Sequence, residues 1–187
     1  MIDSNGDDDA ARHPDADLPV ETMWEGRYIA ARRRGRWEYV GRPKGIRAAV
    51  IVAVDAGHIL LVEQYRVPLG APCIELPAGL VGDQGADEPL EDAAARELEE
   101  ETGYRAAHIA VIGEFASSPG MVSETFTLVR ATGLEKTGDG GGVDNENIVT
   151  HRVALADVPA FIERHRRLGK IMDVKLLLLL GTAILQA

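Results

Sequence analysis

The chain has 187 residues, a net charge of −10 and a single cysteine, Cys73. That length suits one domain with a substantial core, or a compact domain carrying a small N-terminal addition. One cysteine excludes a disulfide framework or a thiolate zinc site within the chain and fits a reducing, cytoplasmic compartment, while the acidic balance argues against general nucleic-acid binding.

Residues 1–20 read as a disordered acidic tail, because 1–17 carry six aspartates against one arginine and have almost nothing to bury. No basic segment followed by an apolar run opens the chain, so no secretory leader is expected. Residues 21–46 read as a small N-terminal β subdomain, with strand-like pieces at Trp24–Ala30 and Trp37–Val40 around the turn Arg34-Gly35. Arg27 to Arg47 holds eight basic residues and one acid, Glu38. Trp24, Tyr28 and Trp37 suit the core of a small sheet as well as they suit a ligand platform. Arg32–Arg34 reads as a solvated turn.

Residues 47–187 form the main domain. Ala48–Val54 and His58–Gln64 are β-rich runs joined by Asp55-Ala56-Gly57, a hairpin signal. Cys73–Leu76 is a further strand, ended by Pro77-Ala78-Gly79. A Gly- and Asp-rich loop leads to a helix over Pro89–Thr102, with Pro89 in its first turn and Gly103 at C′. Strands follow at Ile109–Ala116, Glu124–Ala131 and Ile148–Ala154. Gly133–Asn147 reads as a polar, mobile loop. Helices are expected at Leu155–Arg166 and Asp173–Gln186. The apolar run Leu176–Leu180 is too short to cross a bilayer and reads as a buried helix. His58, His108, His151 and His165 show no metal-ligand spacing and read as satisfied histidines.

The helix over 89–102 carries the chemistry. At about 100° per residue, Leu90, Ala94 and Leu98 form one apolar stripe. Glu97 and Glu101 fall in or beside that stripe, Glu100 lies at its edge, and Glu91, Asp92 and Glu99 face solvent. A solvated face explains the second set and not the first. Carboxylates packed inward repel one another and cost several kcal/mol unless neutralised. Arg96 points elsewhere by the same count, so a divalent cation is the natural solution. Oxygen ligands without nearby Cys or His favour Mg²⁺ or Mn²⁺ over zinc.

Gly82-x5-Glu88-x7-Arg96-Glu97-Leu98-x-Glu100-Glu101-x-Gly103-Tyr104 matches the Nudix box at every fixed position. On these residues the chain resembles the Nudix hydrolases. The resemblance implies an α/β fold, an α/β/α sandwich with a mixed β-sheet, beside the N-terminal β subdomain. It also implies Glu97, Glu100 and Glu101 as metal ligands, with Glu88 and Arg96 bracing the loop and helix. The role of box glycine stays open between Gly82 and Gly79, because relatives place that glycine in the Pro-Ala-Gly motif. Metals in such a site polarise phosphoryl oxygens while water attacks phosphorus, with a carboxylate as base.

Ser118-Pro119-Gly120, with Pro119 standing 16 residues past Gly103, is similar to the segment found in ADP-ribose pyrophosphatases. Val62–Arg66 and Ile74–Gly79 resemble that branch too. By this likeness the Ala78 carbonyl would bind metal, and Arg66, Glu75, Pro119 and Gly120 would meet substrate. Glu146 in Asp144-Asn145-Glu146 would be a further ligand or the base, with Asp144 as the alternative base. Tyr28 and Trp37 would stack the adenine, and Glu38 and Arg42 would lie near the phosphates or ribose. The likeness runs from about residue 22 to 186 and implies a domain-swapped homodimer. Hydrolysis of ADP-ribose to AMP and ribose 5-phosphate is the expected reaction. GDP-mannose or another NDP-sugar is the alternative substrate, and a non-catalytic nucleotide-binding module is the reading from another class. No membrane partner is expected.

Overall fold

A computed structural model describes residues 13–43, 47–82, 88–143 and 146–185, with the side chains of 182–185 left aside. These residues fall into two compact units, one holding 13–43 with Ser118–Glu124 and the other holding the rest.

The smaller unit is an antiparallel sheet of three strands, β1 (Val20–Glu25), β2 (Ala30–Arg34) and β3 (Trp37–Gly41), in that order. Here the strand expected over Trp24–Ala30 is corrected. β1 ends at Glu25, and the chain turns where the Gly26 N–H donates to the Ile29 carbonyl at 2.9 Å. A glycine inside a strand-like run marked that turn. Residues 13–18, read from sequence as part of the tail, form hydrogen-bonded turns, while 1–12 lie outside the described residues. Ser118–Glu124 joins this unit through backbone bonds of Met121 and Ser123 to Val40, each 2.9 Å.

The larger unit has a mixed sheet. Its strands are β4 (Arg47–Asp55), β5 (His58–Arg66), β6 (Ala71–Glu75), β7 (Ala78–Val81), β8 (Tyr104–Ala116), β9 (Thr125–Lys136), β10 (Val149–Ala154) and β11 (Ile171–Met172). The path runs β11-β6-β5-β4-β9-β8, with β10 added to β5 and β7 to β4. β4–β9 and β6–β11 pair in parallel and the other pairs are antiparallel. β4 is central and buried on both faces, which is why its sequence is almost uninterruptedly apolar.

Alternation along β4 sorts two cores. Ala49, Ile51 and Ala53 point to α1 (Leu90–Thr102), where Ala93, Ala94 and Leu98 meet them. Val50 and Val52 point to the opposite face and pack with Val158, Phe161 and Ile162 of α2 (Val158–Arg167) and with Leu176. α3 (Leu177–Leu185) follows a 3-10 turn over Val174–Leu176. The sheet is thus covered by helices on both faces, the expected α/β/α arrangement. Among the described residues, no helix is long and apolar enough to cross a membrane.

Candidate active site

α1 starts after Pro89 and stops at Gly103, whose φ of 73° is the left-handed cap that glycine adopts without strain. Its inward face is the one the helical count selects. Leu98 is fully buried, Glu101 is 8% exposed, and the side chains of Glu97 and Glu100 are 14% and 29% exposed. Glu99 instead faces outward and pairs with Arg105 at 2.9 Å.

Arg96 requires a correction. The count turned it away from the carboxylates, yet its long side chain folds back among them and is only 19% exposed. It donates to Glu88 Oε1 at 3.1 Å, to Glu97 Oε1 at 3.0 Å and to Glu100 Oε2 at 3.1 Å. Reach along a four-bond side chain outweighs the Cβ direction here. The Arg96 hydrogen bonds hold the Glu88 carboxyl below its ordinary value.

Glu101 is the carboxylate that this arginine does not neutralise. Its Oε2 accepts the Ala78 N–H at 3.1 Å. Burial pushes its carboxyl up to about 8, the Ala78 N–H and Arg66 only partly offset this, and the nearby charges of Glu97 and Glu146 push further upward. Such a group calls for a cation, and oxygen donors on Glu97, Glu100, Glu101 and Glu146 fit Mg²⁺ or Mn²⁺ chemically.

The two glycines left open by the sequence do different work. A Cβ on Gly79 would fall inside the Glu97 carboxyl group, so glycine there lets β7 approach α1. Gly82 adopts a φ of 90° and its backbone bonds the Glu88 carboxylate.

Glu146 reaches the site on a strap fastened to the end of α1. The Gly141 N–H donates to the Glu101 carbonyl at 2.9 Å, and the Gly142 N–H donates to the Glu100 carbonyl at 3.0 Å. These bonds satisfy carbonyls that a helix end otherwise leaves orphaned. The segment read as a mobile loop over Gly133–Asn147 is strand as far as Lys136, and its Gly141 and Gly142 are tethered to α1. Glu146 Oε2 accepts the Val143 N–H at 3.1 Å. Asp144 lies outside the described residues.

Arg66, at the end of β5, grips Glu75 of β6 through two bonds of 2.6 and 2.9 Å. Glu75 is 6% exposed, while Arg66 remains open to solvent along one side. Hydrogen bonding to Glu75 raises the Arg66 pKa above its ordinary value, and Glu101 contributes to the same shift.

The remaining expected contacts lie in the smaller unit. Trp37, Pro119 and Gly120 line one cavity of about 460 Å³. Tyr28 is exposed at the β1–β2 turn with the Arg27 guanidinium 5.1 Å over its ring. Glu38 is exposed, and Arg42 is committed to Glu124 at 2.7 Å.

A cluster not visible in sequence spacing joins Glu63, His151 and His165, whose ligand atoms lie within 4.8 Å of one another. His151 and His165 are both hydrogen-bonded, to Glu63 and to the Phe161 carbonyl, as the reading of satisfied histidines expected, although their meeting with Glu63 was not foreseen. The sheet register places His151 opposite Leu61, on the face Glu63 shares. Glu63 Oε2 is already met by Lys170 Nζ at 2.6 Å and His151 Nε2 at 3.0 Å. Burial favours a higher pKa for Glu63, but the bonds to Lys170 and His151 override it and the carboxyl sits below its ordinary value. The cluster thus carries its own cation.

Comparison with known proteins agrees with this geometry. The NUDIX domain model matches residues 43–172. The methanol dehydrogenase activator of Bacillus methanolicus is 39% identical over 112 residues, covering 60% of this chain and 58% of that protein. The ADP-ribose pyrophosphatase of Bacillus subtilis (strain 168) is 35% identical over 127 residues, covering 67% of this chain and 66% of that protein. The crystal structure of an ADP compounds hydrolase superposes with a TM-score of 0.64 at 25% identity, over 78% of this chain and 81% of that one. The matched region thus spans 58% and 66% of those two relatives, less than two thirds of either. With the box intact on α1 and its carboxylates turned inward, the chain belongs to the Nudix family.

Proposed function

We propose that the protein hydrolyses the diphosphate of ADP-ribose, giving AMP and ribose 5-phosphate, with Mg²⁺ as cofactor and Mn²⁺ as an alternative. The observation that carries this reading is Glu101, buried beside Glu97 and Glu146 with no ion pair of its own among the described residues. The similarity to an ADP-ribose pyrophosphatase supports the choice of substrate.

In this reading Glu97, Glu100, Glu101 and the Ala78 carbonyl would hold the metal. A bound metal ion would polarise the phosphoryl oxygens and offset charge as water attacks phosphorus. Glu146 would serve as a further metal ligand or as the base that accepts the proton of the attacking water, with Asp144 as the alternative base. Arg96 keeps Glu97 and Glu100 aligned, and Glu88 anchors Arg96. Arg66, preset by Glu75, offers its open side to a phosphate oxygen. Trp37, Pro119 and Gly120 receive the base, with Tyr28, Glu38 and Arg42 as further contacts of the nucleoside end.

A domain-swapped homodimer belongs to the same proposal. Exposed Met23, Trp24 and Ile29 on the small unit support it, because they leave an apolar surface to be covered. The free, buried Cys73 supports a reducing cytoplasm.

The test is a panel of ADP-ribose, GDP-mannose, ADP-glucose and dinucleoside polyphosphates with Mg²⁺, read as release of nucleoside monophosphate. ADP-ribose is expected to have the highest kcat/KM. Preference for GDP-mannose would move the substrate and keep the chemistry. No turnover of any compound would overturn the enzymatic reading.

A further inference from the structure

The Glu63, His151 and His165 cluster lies across the sheet from the box. Along β5, Ile59 and Leu61 pack towards α2 while Leu60 faces α1. Alternation puts Glu63 on the α2 face, so the sheet separates it from Glu97, Glu100 and Glu101. Val149 of β10 stands opposite Glu63, and His151 follows two residues on along the same face. His165 comes from α2 and is 5% exposed. Three elements thus converge one carboxylate and two imidazoles. Around a tetrahedral zinc, ligand atoms stand roughly 3.3 Å apart, so atoms already within 4.8 Å need close by no more than about 1.5 Å.

The donors are prepared for a metal. His165 Nδ1 lies 2.8 Å from the Phe161 carbonyl, which only accepts, so the proton sits on Nδ1 and the Nε2 lone pair is free. A backbone carbonyl on the far nitrogen is how metal-bound histidines are oriented. Burial holds the His151 ring below its ordinary value despite Glu63, so it is neutral at pH 7. Two neutral imidazoles with one carboxylate suit zinc, unlike the all-oxygen box.

The charge on Glu63 is now met by Lys170, whose Nζ shares Oε2 with His151 Nε2. Lys170 holds that place through a flexible stem and a single charge. Its side chain also borders a cavity of about 640 Å³ with Ile162, Arg166 and Met172. The ammonium therefore has open space to swing into when a dication takes the carboxylate.

We propose that Glu63, His151 and His165 form a zinc-type cation site, separate from the box, in which Lys170 is a stand-in that the metal displaces. On binding, the His151 proton passes from Nε2 to Nδ1, the freed lone pair and His165 Nε2 join Glu63 on the metal, and water takes the fourth position. The ammonium leaves still protonated, so no net proton is released. Bound zinc ties β5, β10 and α2 together, a role independent of the ADP-ribose reading and tested without turnover.

The experiment titrates Zn²⁺ into the full-length chain in excess Mg²⁺ against a chromophoric chelator. Lys170→Met is expected to lower the zinc Kd about 10- to 100-fold by removing the competing charge. His151→Gln and His165→Gln should each raise it at least about tenfold. His108→Gln, at an exposed histidine of β8, should leave it unchanged, and Glu101→Gln, which weakens the box, should keep it too. Zinc-edge X-ray absorption of Lys170→Met should read two imidazoles, and it decides the matter if circular dichroism shows a histidine variant unfolded. Absence of zinc binding in Lys170→Met would overturn the proposal, as would affinity indifferent to both histidine variants or a metal shell without imidazole.

Discussion

The box helix and the N-terminal sheet build their sites in opposite ways. Around α1 the partners are sequence neighbours. Arg96 meets Glu97 and Glu100 on its own helix and Glu88 just before it, and Glu101 takes its backbone donor from Ala78 in the preceding strand. In the smaller unit the cavity gathers 13–16, the β2–β3 hairpin and 119–123 from three separated stretches. Local spacing constrains the first site and leaves the second free to vary. The two should therefore fail differently, with substitutions on α1 acting on kcat and substitutions around the cavity acting on KM.

The largest effect is expected at the box. Glu101→Gln or Glu100→Gln should lower kcat by about 10²- to 10⁴-fold, the scale of lost charge stabilisation at phosphorus. Circular dichroism should show both variants folded. Near-normal kcat in both would break the comparison at its stronger end.

A stability measurement probes the same carboxylate without turnover. Glu101 is raised from its ordinary 4.5 to about 8 by burial, so the fold favours its protonated form. That contribution is fully present below the unfolded value and is lost as pH rises through about 8. Chelator-treated protein should lose stability between pH 5 and 8, on the scale of several kcal/mol, read as a falling Tm. Glu101→Gln should flatten the slope, and so should added Mg²⁺. A flat Tm profile in the chelated wild type would show that Glu101 is not desolvated.

Gly79→Ala tests the close approach of β7 to α1. A side chain there must displace Glu97, so kcat should fall roughly 10- to 100-fold. Gly82→Ala carries the backbone cost of a positive φ, about 1 kcal/mol, and should be read mainly in Tm. Equal kcat losses would mean that the two glycines share one role.

These contrasts explain what the sequence disclosed. α1, its glycine cap and its inward glutamates were legible because helical period and box spacing fix them locally. The β4–β5 hairpin was legible from Asp55-Ala56-Gly57, observed as the turn between Asp55 and His58. The helical count alone turned Arg96 away from the carboxylates it bonds, because a wheel records where Cβ points and not where a flexible guanidinium ends; the bracing pairs came only with the resemblance. β8 begins at Tyr104 rather than Ile109, since pairing with β9 overrides the weak strand preference of Arg105 and Ala106. The meeting of Glu63 with His151 and His165 depends on strand register and on the docking of α2, neither of which leaves a mark in spacing. The tail was read as disordered from composition, and the bonds of Asp15 to the β2–β3 turn are long-range.

Arg66→Ala lies between the two regimes. Removing the guanidinium leaves Glu75 almost buried without its bidentate partner. Stability should fall by about 1–2 kcal/mol, discounted because Arg66 is partly exposed. If Arg66 also meets a phosphate, KM for ADP-ribose should rise about tenfold, whereas a purely structural pair would move Tm alone.

The smallest effect discriminates the two aromatic residues offered as stacking partners. Trp37 lines the cavity, and Tyr28 does not. Tyr28 is exposed at a turn beneath the Arg27 guanidinium. Were the base site confined to one chain, Trp37→Ala should raise KM several-fold with kcat held, while Tyr28→Ala should leave KM unchanged. A domain-swapped dimer changes this forecast, because an exposed ring on one subunit can complete a base site on the other. The two variants therefore separate cases by pattern. A KM increase in Trp37→Ala alone places base recognition in the cavity of a single small unit. Comparable increases in both, lost on dilution to monomer, would mean that the cavity is only half of the nucleoside site and that the exposed ring supplies the other half.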